Sequence, residues 1–453
     1  MSKNHSLDLT PFELVPTRQS ERLLNSSAAP ASKVGNHSAE VQSQISLQAA
    51  GETVFPVTGN SFQRLEADRI SRLSSGLKQR FDAINAFFND VLTNGNRPAF
   101  LNRCPIAAQI VEKIPRSVLG MRPSGGAWTW MESTDLFIHQ NGEPILLDHN
   151  FACPVGLHRL HELIENYHGN ASIVSNWLSG TISSQCRSGS TPGKASDGGG
   201  KSGNPPIAIL DAGTFSPALR ENEFIAECAG GSLIRNRDLL VRPDGLYIIL
   251  QGRMQKLDVL IRRIDDDLLD PNCFRPDSLI GVPGLVRLCR NGGARVMNTP
   301  GTGLIGNRAI AALIPEMIRH YLRETPELRS VPTLLCGNLG DRDVILGDLN
   351  NFAVRTIDPL HPARPFFGST ATATEKSDLT ARLLKDPRNY VARPLLPKEE
   401  LHVCGGFNLR VFSSCGQGFS LLPAGIGRPA QPDGGATLAV VSDPTAFAVS
   451  LEG

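Results

Sequence analysis

One Asn-Gly pair between two apolar runs constrains the fold of this chain most, because it predicts an antiparallel hairpin. The segment reads DLFIHQNGEPILLDHN, with the turn at Asn141-Gly142. A two-residue turn there would place Asp135 directly opposite Asp148. Side chains alternate between the faces of a strand, so Asn150 would share the face of Asp148. The pattern therefore predicts two carboxylates and one amide on one face of a ribbon.

Two carboxylates in a direct cross-strand pair repel each other, because their Cβ atoms lie about 4.5–5.5 Å apart. A hard cation would relieve that repulsion, and Asp and Asn oxygens are ligands that Mg²⁺ prefers. We therefore predict a metal site at Asp135, Asp148 and Asn150. The alternative is a hairpin in solvent, where both carboxylates are hydrated and hold no metal.

The charge balance excludes several classes of partner. The 453 residues carry 45 Lys and Arg against 44 Asp and Glu, so no basic surface for nucleic acid or an anionic membrane is indicated.

Nine cysteines without a CxxC pair indicate free thiols rather than a disulfide framework or a zinc site. The sequence shows neither an apolar signal segment nor a run long enough to span a bilayer, so we expect a cytoplasmic protein.

Composition and periodicity divide the chain into five parts. Residues 1–60 are rich in Ser, Asn, Ala and Gln and are expected to be disordered. Residues 61–182 combine an amphipathic helix with the hairpin, and 183–206 form a Gly/Ser-rich flexible loop. Strand, helix and strand alternate over 207–335, which predicts a βαβ layer, and 336–453 contain strands of a further sheet. The expected class is a mixed α+β and α/β fold.

A glycine-rich stretch, PGTGLIGNR, invites a nucleotide-binding interpretation. Gly301, Gly303 and Gly306 fit the GxGxxG pattern of dinucleotide sites. A P-loop, however, needs Lys followed by Ser or Thr where this chain has Asn307-Arg308. Helical sequence also follows where a dinucleotide fold needs an acidic residue. A loop leading into a helix is therefore favoured, and a dinucleotide-dependent oxidoreductase is the remote alternative.

The sequence RRIDDDLLDP is dense in carboxylates. Such a cluster binds metal in some proteins, but more often its members pair with arginines or stay hydrated. A structural role, anchoring arginines and capping the next turn, is therefore favoured here.

The run 258–332, which includes RRIDDDLLDP and FRPDSLIGVPGL, closely resembles the circularly permuted ATP-grasp proteins, type 2. Weaker likeness in LKQRFDAINAFFNDV, RNYVARP and NLRVF extends the resemblance to about residues 61–430. It implies that ATP and Mg²⁺ are held between two α+β subdomains, formed by 61–182 and 336–453. Residues 207–335 would then form a Rossmann-like layer of the pre-ATP-grasp type.

The resemblance also assigns the metal ligands. Asp135 matches the acidic residue of the family's Asp-Leu step, and Asp148 and Asn150 fall in its Glu-Asp-Asn step. The hairpin pattern and the resemblance thus select the same three residues.

The resemblance places arginines on the nucleotide side. Arg308 stands in the family's Asp-Asp-Lys step, Arg355 in Val-Lys-Pro and Arg393 in Ala-Gln-Pro, which assigns them to ATP binding. Arg410 keeps the arginine of the Asp-Leu-Arg strand and is predicted to be the catalytic residue that steadies an acyl-phosphate. Of the family's Gly-rich loop only Gly368 remains, and its closing Ser-Gln-Gly-Gly-Gly segment has no counterpart.

The function implied is ATP- and Mg²⁺-dependent ligation of a carboxylate to an amine or thiol through an acyl-phosphate. The expected substrate is a small-molecule or peptide-like carboxylate, with no nucleic acid or membrane partner and a protein partner left open. The alternative is a catalytically inactive ATP-grasp fold, kept as a binding or scaffold subunit, because the glycine loop and closing segment are lost.

Overall fold

The structure is a computed structural model, and the residues that it describes all lie within 63–451. The described ranges are 63–123, 126–139, 141–151, 153–168, 172–187, 206–213, 216–357, 365–395, 406–415, 418–429 and 445–451. The predicted disordered tail and most of the predicted Gly/Ser-rich loop lie outside these ranges.

Four sheets organise the described residues. The strands, in chain order, are β1 (Gln63–Arg64), β2 (Met131–Ile138), β3 (Pro144–Asn150), β4 (Ile207–Leu210), β5 (Ser232–Ile234), β6 (Leu239–Arg242), β7 (Gly245–Leu250), β8 (Arg253–Lys256), β9 (Val259–Arg262), β10 (Val296–Met297), β11 (Arg329–Ser330), β12 (Leu334–Leu335), β13 (Phe352–Thr356), β14 (Phe366–Phe367), β15 (Tyr390–Pro394), β16 (Phe407–Cys415), β17 (Phe419–Pro429) and β18 (Phe447–Ser450).

The described residues also form α-helices. In chain order they are α1 (Ala67–Phe88), α2 (Pro105–Glu112), α3 (Leu157–His168), α4 (Ser172–Arg187), α5 (Leu219–Ala229), α6 (Asp266–Leu269), α7 (Leu285–Arg290), α8 (Arg308–Ala311), α9 (Ile314–Met317), α10 (Leu339–Gly347) and α11 (Ala373–Lys385). The end of α4 extends into the segment predicted to be a Gly/Ser-rich loop.

The sheets fall into a large, mainly antiparallel sheet, a parallel layer and two small antiparallel sheets. The large sheet has the order β1-β18-β17-β16-β2-β3-β11, with parallel pairs at its two edges. The parallel layer has the order β10-β9-β4-β5, and α5 connects β4 to β5, which confirms the predicted βαβ unit. The small sheets are β12-β15-β13-β14 and β6-β7-β8.

Helix α1 confirms the helical stripe predicted from the sequence. Leu73 and Leu77 pack with apolar side chains of the large sheet, whereas Ile84 and Phe87 join the core around the parallel layer. All four are at most 1% exposed. Fully burying such a side chain contributes roughly 1.5–3 kcal/mol, so this one helix ties two layers together.

The long helix expected after the glycine-rich stretch is interrupted. Helix α8 ends at Ala311, and α9 starts at Ile314 with Pro315 in its first turn. Proline has no amide hydrogen and is tolerated only in the first turn of a helix, so the chain must start a new helix there.

The hairpin β2–β3 confirms the predicted pairing of its two aspartates, because Asp135 lies opposite Asp148. The predicted two-residue turn is wrong. The amide of His139 donates to the carbonyl of Glu143 at 3.0 Å, which makes the loop longer. A β-bulge with Leu147 as the extra residue restores the register, so a longer loop and a bulge together yield the same pair.

Gly368 directly follows β14 of the sheet β12-β15-β13-β14, at a point where two backbone segments pack closely. Its amide donates to the carbonyl of Phe352 at 2.9 Å. A Cβ on Gly368 would lie 1.6 Å from the carbonyl oxygen of Leu349. The amide therefore serves the sheet, and the close contact explains why the residue is glycine.

Gly368→Ala is accordingly expected to lower the free energy of unfolding by about 1–3 kcal/mol, because the backbone must shift to admit a methyl group. Urea unfolding measures this loss. Gly340→Ala in α10 is the matched control, because its Cβ would meet open space. That change should stabilise the helix by up to about 1 kcal/mol. Equal changes in the free energy of unfolding of the two variants would contradict the packing argument.

Candidate functional site

The predicted site residues meet where the hairpin β2–β3 faces the small sheet that contains β13 and β15. Arg355 of β13 places Nη1 3.7 Å from Oδ2 of Asp148, and Arg393 of β15 places Nη2 3.9 Å from Oδ1. Arg308, the first residue of α8, donates to the carbonyl of Thr356 at 2.7 Å. Three elements distant in sequence thus surround one carboxylate with guanidinium groups.

The surrounding cations keep Asp148 ionised. Burial by itself would raise the pKa of this carboxyl, but the charges of Arg393, Arg355 and Arg308 outweigh burial and hold it below its ordinary value. Oδ1 of Asp148 accepts the amide of His149 at 3.0 Å. No arginine nitrogen among these ion pairs lies within hydrogen-bond distance, so the carboxylate keeps acceptor capacity for a ligand.

Asp135 has a different environment from its cross-strand partner. Arg410 of β16 holds it with two hydrogen bonds, Nε to Oδ1 at 2.7 Å and Nη2 to Oδ2 at 2.8 Å. Nη1 of Arg410 donates to the carbonyl of Val155 at 3.1 Å. Burial alone would lower the pKa of the Arg410 guanidinium, but the adjacent carboxylate raises it above its ordinary value. The two side chains form a rigid, charged and buried pair.

Asn150 is held in the turn that follows β3. Its Oδ1 accepts the amide of Cys153 at 3.2 Å, and its Nδ2 donates to the Cys153 carbonyl at 3.3 Å. The amide oxygen has a second lone pair, so this turn orients the side chain and leaves one lone pair available to a ligand. Within the described ranges, no group of three or more His, Cys, Asp or Glu side chains is arranged to hold a metal ion.

The bulge in β3 connects the hairpin to the small sheet. The carbonyl of Leu147, the extra residue, accepts a hydrogen bond from Nη1 of Arg393. Nε of the same arginine donates to Oγ1 of Thr333 at 2.9 Å. A bulge frees a strand carbonyl from the ladder, and here that carbonyl orients a predicted ATP-binding arginine.

A cleft opens beside these arginines, between the hairpin and the small sheet. Arg308, Arg355 and Arg393 form its charged part. The rest of its lining is apolar and consists of Leu147, Val331, Ala353, Phe367, Val391, Pro394 and Leu395. The cleft is narrow, with a volume of about 40 Å³, and its guanidinium groups suit the anionic part of a ligand.

The glycine-rich stretch lies elsewhere and is occupied by the protein's own carboxylate. Asp266 accepts the amide of Gly301 at 3.1 Å and that of Gly303 at 2.6 Å. The same carboxylate pairs with Arg262 at 2.8 Å. These amides are therefore satisfied without a phosphate, which agrees with the structural interpretation of both the glycine pattern and the acidic cluster.

A buried polar cluster behind the hairpin was missed by sequence reasoning. It consists of Arg80, Glu132 and His149, with His149 Nδ1 3.8 Å from Oε2 of Glu132. Burial raises the pKa of Glu132 to about 7 and, with Arg80, lowers the pKa of His149 to about 3. The available signal was Arg80 itself, since it occupies a core-facing position in the apolar stripe of α1.

A cleft between two sheets, with a paired acid and arginine on one side and arginines on the other, is typical of proteins that grip a nucleotide between subdomains. The family model described as circularly permuted ATP-grasp type 2 matches residues 65–430. The chain belongs to that family and has a circularly permuted ATP-grasp fold with a Rossmann-like parallel layer.

Relatives support this assignment. The chain is similar to the uncharacterised protein sll0335 of Synechocystis, with 32% identity over 354 residues, 76% of this chain and 72% of that one. It is also similar to a Frankia alni protein named "Putative glutamate--cysteine ligase 2-3", with 28% identity over 404 residues. That match covers 83% of this chain but only 46% of the Frankia protein, so this chain spans about half of that relative's length.

A solved structure shares the fold. The apo form of GSS30, a glutathione synthetase-like effector from Globodera pallida, aligns over 85% of this chain and 88% of its own, with a TM-score of 0.50 and 10% identity. In the described part of this chain, no helix is both long and apolar enough to cross a membrane.

Proposed function

We propose that this protein is an ATP-grasp ligase that joins a carboxylate to an amine or thiol through an acyl-phosphate. The observation that carries the proposal is the convergence of Arg308, Arg355 and Arg393 on Asp148, beside an apolar cleft. Membership of the ATP-grasp family and the name of the Frankia relative support the same reaction class.

The cleft would take the nucleotide in a defined orientation. Its apolar walls, including Leu147 and Phe367, would have to separate to admit the base, because the cleft measures about 40 Å³. Arg308, Arg355 and Arg393 would contact the phosphates, since a guanidinium can hold phosphate oxygens in a bidentate way. These arginines stand where the family carries lysine or glutamine steps, so the chain would bind phosphate through planar groups rather than ammonium ions.

The donor set near the phosphates fits Mg²⁺. Asp148 retains acceptor capacity, and Asn150 offers an amide oxygen on the same strand face. Mg²⁺ typically uses one or two carboxylates plus substrate phosphates and water, so these residues would suffice. Asp135 would contribute only alongside Arg410, because that guanidinium already engages both of its oxygens. When bound, the ion offsets charge on the phosphates during transfer.

The chain's own residues would then organise the transfer. A carboxylate oxygen of the substrate attacks the γ-phosphorus, the bond to the bridging oxygen breaks, and ADP leaves. The amine or thiol next attacks the acyl carbon, the bond from that carbon to the phosphate oxygen breaks, phosphate leaves, and the proton of the nucleophile passes to water. Arg410 would steady the acyl-phosphate with its remaining N–H groups, because Asp135 and the Val155 carbonyl hold it in place.

The second candidate is a catalytically inactive ATP-grasp fold that serves as a binding or scaffold subunit. The observation in its favour is Gly368, the remnant of the glycine loop. Its amide is engaged by the carbonyl of Phe352 and so does not serve phosphate.

A thermal shift with Mg·ATP separates the two candidates. A ligand at about 100 times its Kd stabilises a protein by about 2.7 kcal/mol, and the wild-type protein should show a shift of that order. Asp148→Ala should abolish the part of the shift that requires Mg²⁺, because the proposed ligand is gone. Arg355→Met should reduce the shift whether or not Mg²⁺ is present.

Asp343→Ala is the control, since Asp343 is an exposed residue of α10 and lies outside the cleft lining. Its shift should equal that of the wild-type protein. If the wild-type protein shows no shift at millimolar Mg·ATP, the ligase proposal fails and the scaffold alternative stands.

A further inference from the structure

A second cavity, of about 320 Å³, borders the other side of Asp148. Its walls come from β3, β11, the start of α9 and the 331–333 linker. Asp148 and Arg393 belong both to this cavity and to the proposed ATP site. A ligand here would therefore reach Arg393, one of the arginines that are proposed to contact the phosphates.

The lining of this cavity is strongly cationic. Four arginines border it, Arg80, Arg319, Arg329 and Arg393, and Asp148 is the one carboxylate among the described residues of its lining. Arg319 is already paired with Glu316 at 2.6 Å. Arg329, in contrast, is exposed and makes no side-chain hydrogen bond or ion pair among the described residues. Arg80 is clustered with Glu132 and Arg393 lies near Asp148, so Arg329 supplies the excess positive charge that favours an anionic ligand.

The inner end of the cavity is built from buried polar groups. Arg80 is 2% exposed, and its Nη2 donates to the Leu328 carbonyl at 3.0 Å and to Oγ of Ser330 at 2.5 Å. Nε of Arg80 and Nε2 of His149 have no hydrogen-bond partner within the described chain, although both are buried. A buried polar atom without a partner is costly, so a polar ligand group or its hydration would satisfy them.

We propose that this cavity binds the acid substrate, a small molecule that carries two carboxylates. Arg80 and Arg329 recognise one carboxylate, and the other is directed to Arg393, next to the nucleotide. The first carboxylate determines by its charge which acid is bound, and the second carboxylate reacts with ATP. This inference rests on the proposed function for the role of the second carboxylate, whereas the binding site itself depends only on the cavity.

Calorimetric titration of the full-length protein with glutarate tests the proposal, with acetate and inorganic phosphate as the comparison ligands. Glutarate should bind in the millimolar range or tighter, and acetate at least about tenfold more weakly, because one charge-assisted contact is lost. Arg329→Gln should weaken glutarate binding about tenfold. Because that side chain is exposed and unpaired within the described chain, the variant should fold normally.

Arg287→Gln is the control, because this exposed arginine of α7 lies outside the cavity lining. It should leave glutarate binding unchanged. Arg80→Gln should also weaken binding, with circular dichroism used to verify its fold. Absence of glutarate binding, or binding that Arg329→Gln leaves intact, would overturn the inference even if Mg·ATP binds. Binding of phosphate but not glutarate would also overturn it. Glutarate binding lost in Arg329→Gln, with no response to Mg·ATP, would uphold the site and refute the ligase proposal.

Discussion

Arg410→Met is expected to lower the free energy of unfolding by about 3–5 kcal/mol. The reason is Asp135, which would remain in a strand interior with neither of its oxygens paired. Asp135 is 8% exposed, so water cannot replace the two hydrogen bonds that the guanidinium supplies. Urea unfolding at neutral pH measures the loss directly.

A double variant distinguishes a lost charge pair from lost packing. Asp135→Leu combined with Arg410→Met removes both charges and should recover most of the stability, because no buried charge is left unpaired. Arg287→Met, an exposed arginine of α7, should change stability by no more than about 0.5 kcal/mol. A loss below about 1 kcal/mol for Arg410→Met alone would show that the pair contributes little to the fold.

Asp266→Ala is expected to cost a similar amount, about 3–5 kcal/mol, because three partners lose their acceptor together. Arg262 is 1% exposed and would retain a buried charge without its carboxylate. The amides of Gly301 and Gly303 would also lose their acceptor. The measurement is again urea unfolding, with hydrogen exchange of the two glycine amides as a local readout.

Asp82→Ala supplies the comparison for that variant. Asp82 pairs with Lys78 at 2.6 Å on the surface of α1, with 43% of its side chain exposed. Such a surface pair contributes at most about 1 kcal/mol. If the two aspartate variants lose equal stability, Asp266 does not organise the glycine stretch. Faster exchange confined to Gly301 and Gly303 would support the assignment.

Asp266 and Asp148 show two different roles of acidic residues in this chain. Asp266 is fully engaged by backbone amides and an arginine, so it belongs to the architecture. Asp148 is surrounded by cations at 3.7 and 3.9 Å, so it stays ionised and keeps room for a ligand. A carboxylate-rich sequence does not show whether an aspartate is engaged by the protein or available to a ligand. The distances to its partners in the structure show which role it has.

Local patterns in the sequence were sufficient for several elements. The apolar stripe of α1, the unit that joins β4, α5 and β5, and the Asp135–Asp148 pair were all predicted and confirmed. The helix stripe and the βαβ unit depend on periods of a few residues, which follow from backbone geometry alone. The Asp135–Asp148 pair instead results from a longer loop and a bulge at Leu147 that the sequence pattern did not predict. The metal and ATP-binding roles of the site residues remain predictions.

The tertiary structure determines which residues distant in sequence become neighbours. Arg410 reaches Asp135 across 275 positions of sequence, and no local pattern reports that contact. The bulge at Leu147 and the burial of Arg80 likewise depend on how distant segments pack. The sequence by itself therefore determined the family and several helices and strands, because these follow from short periods and motifs. Only the folded chain decided which carboxylate is paired and which is left for a ligand, because burial and long-range pairing set the charge environment.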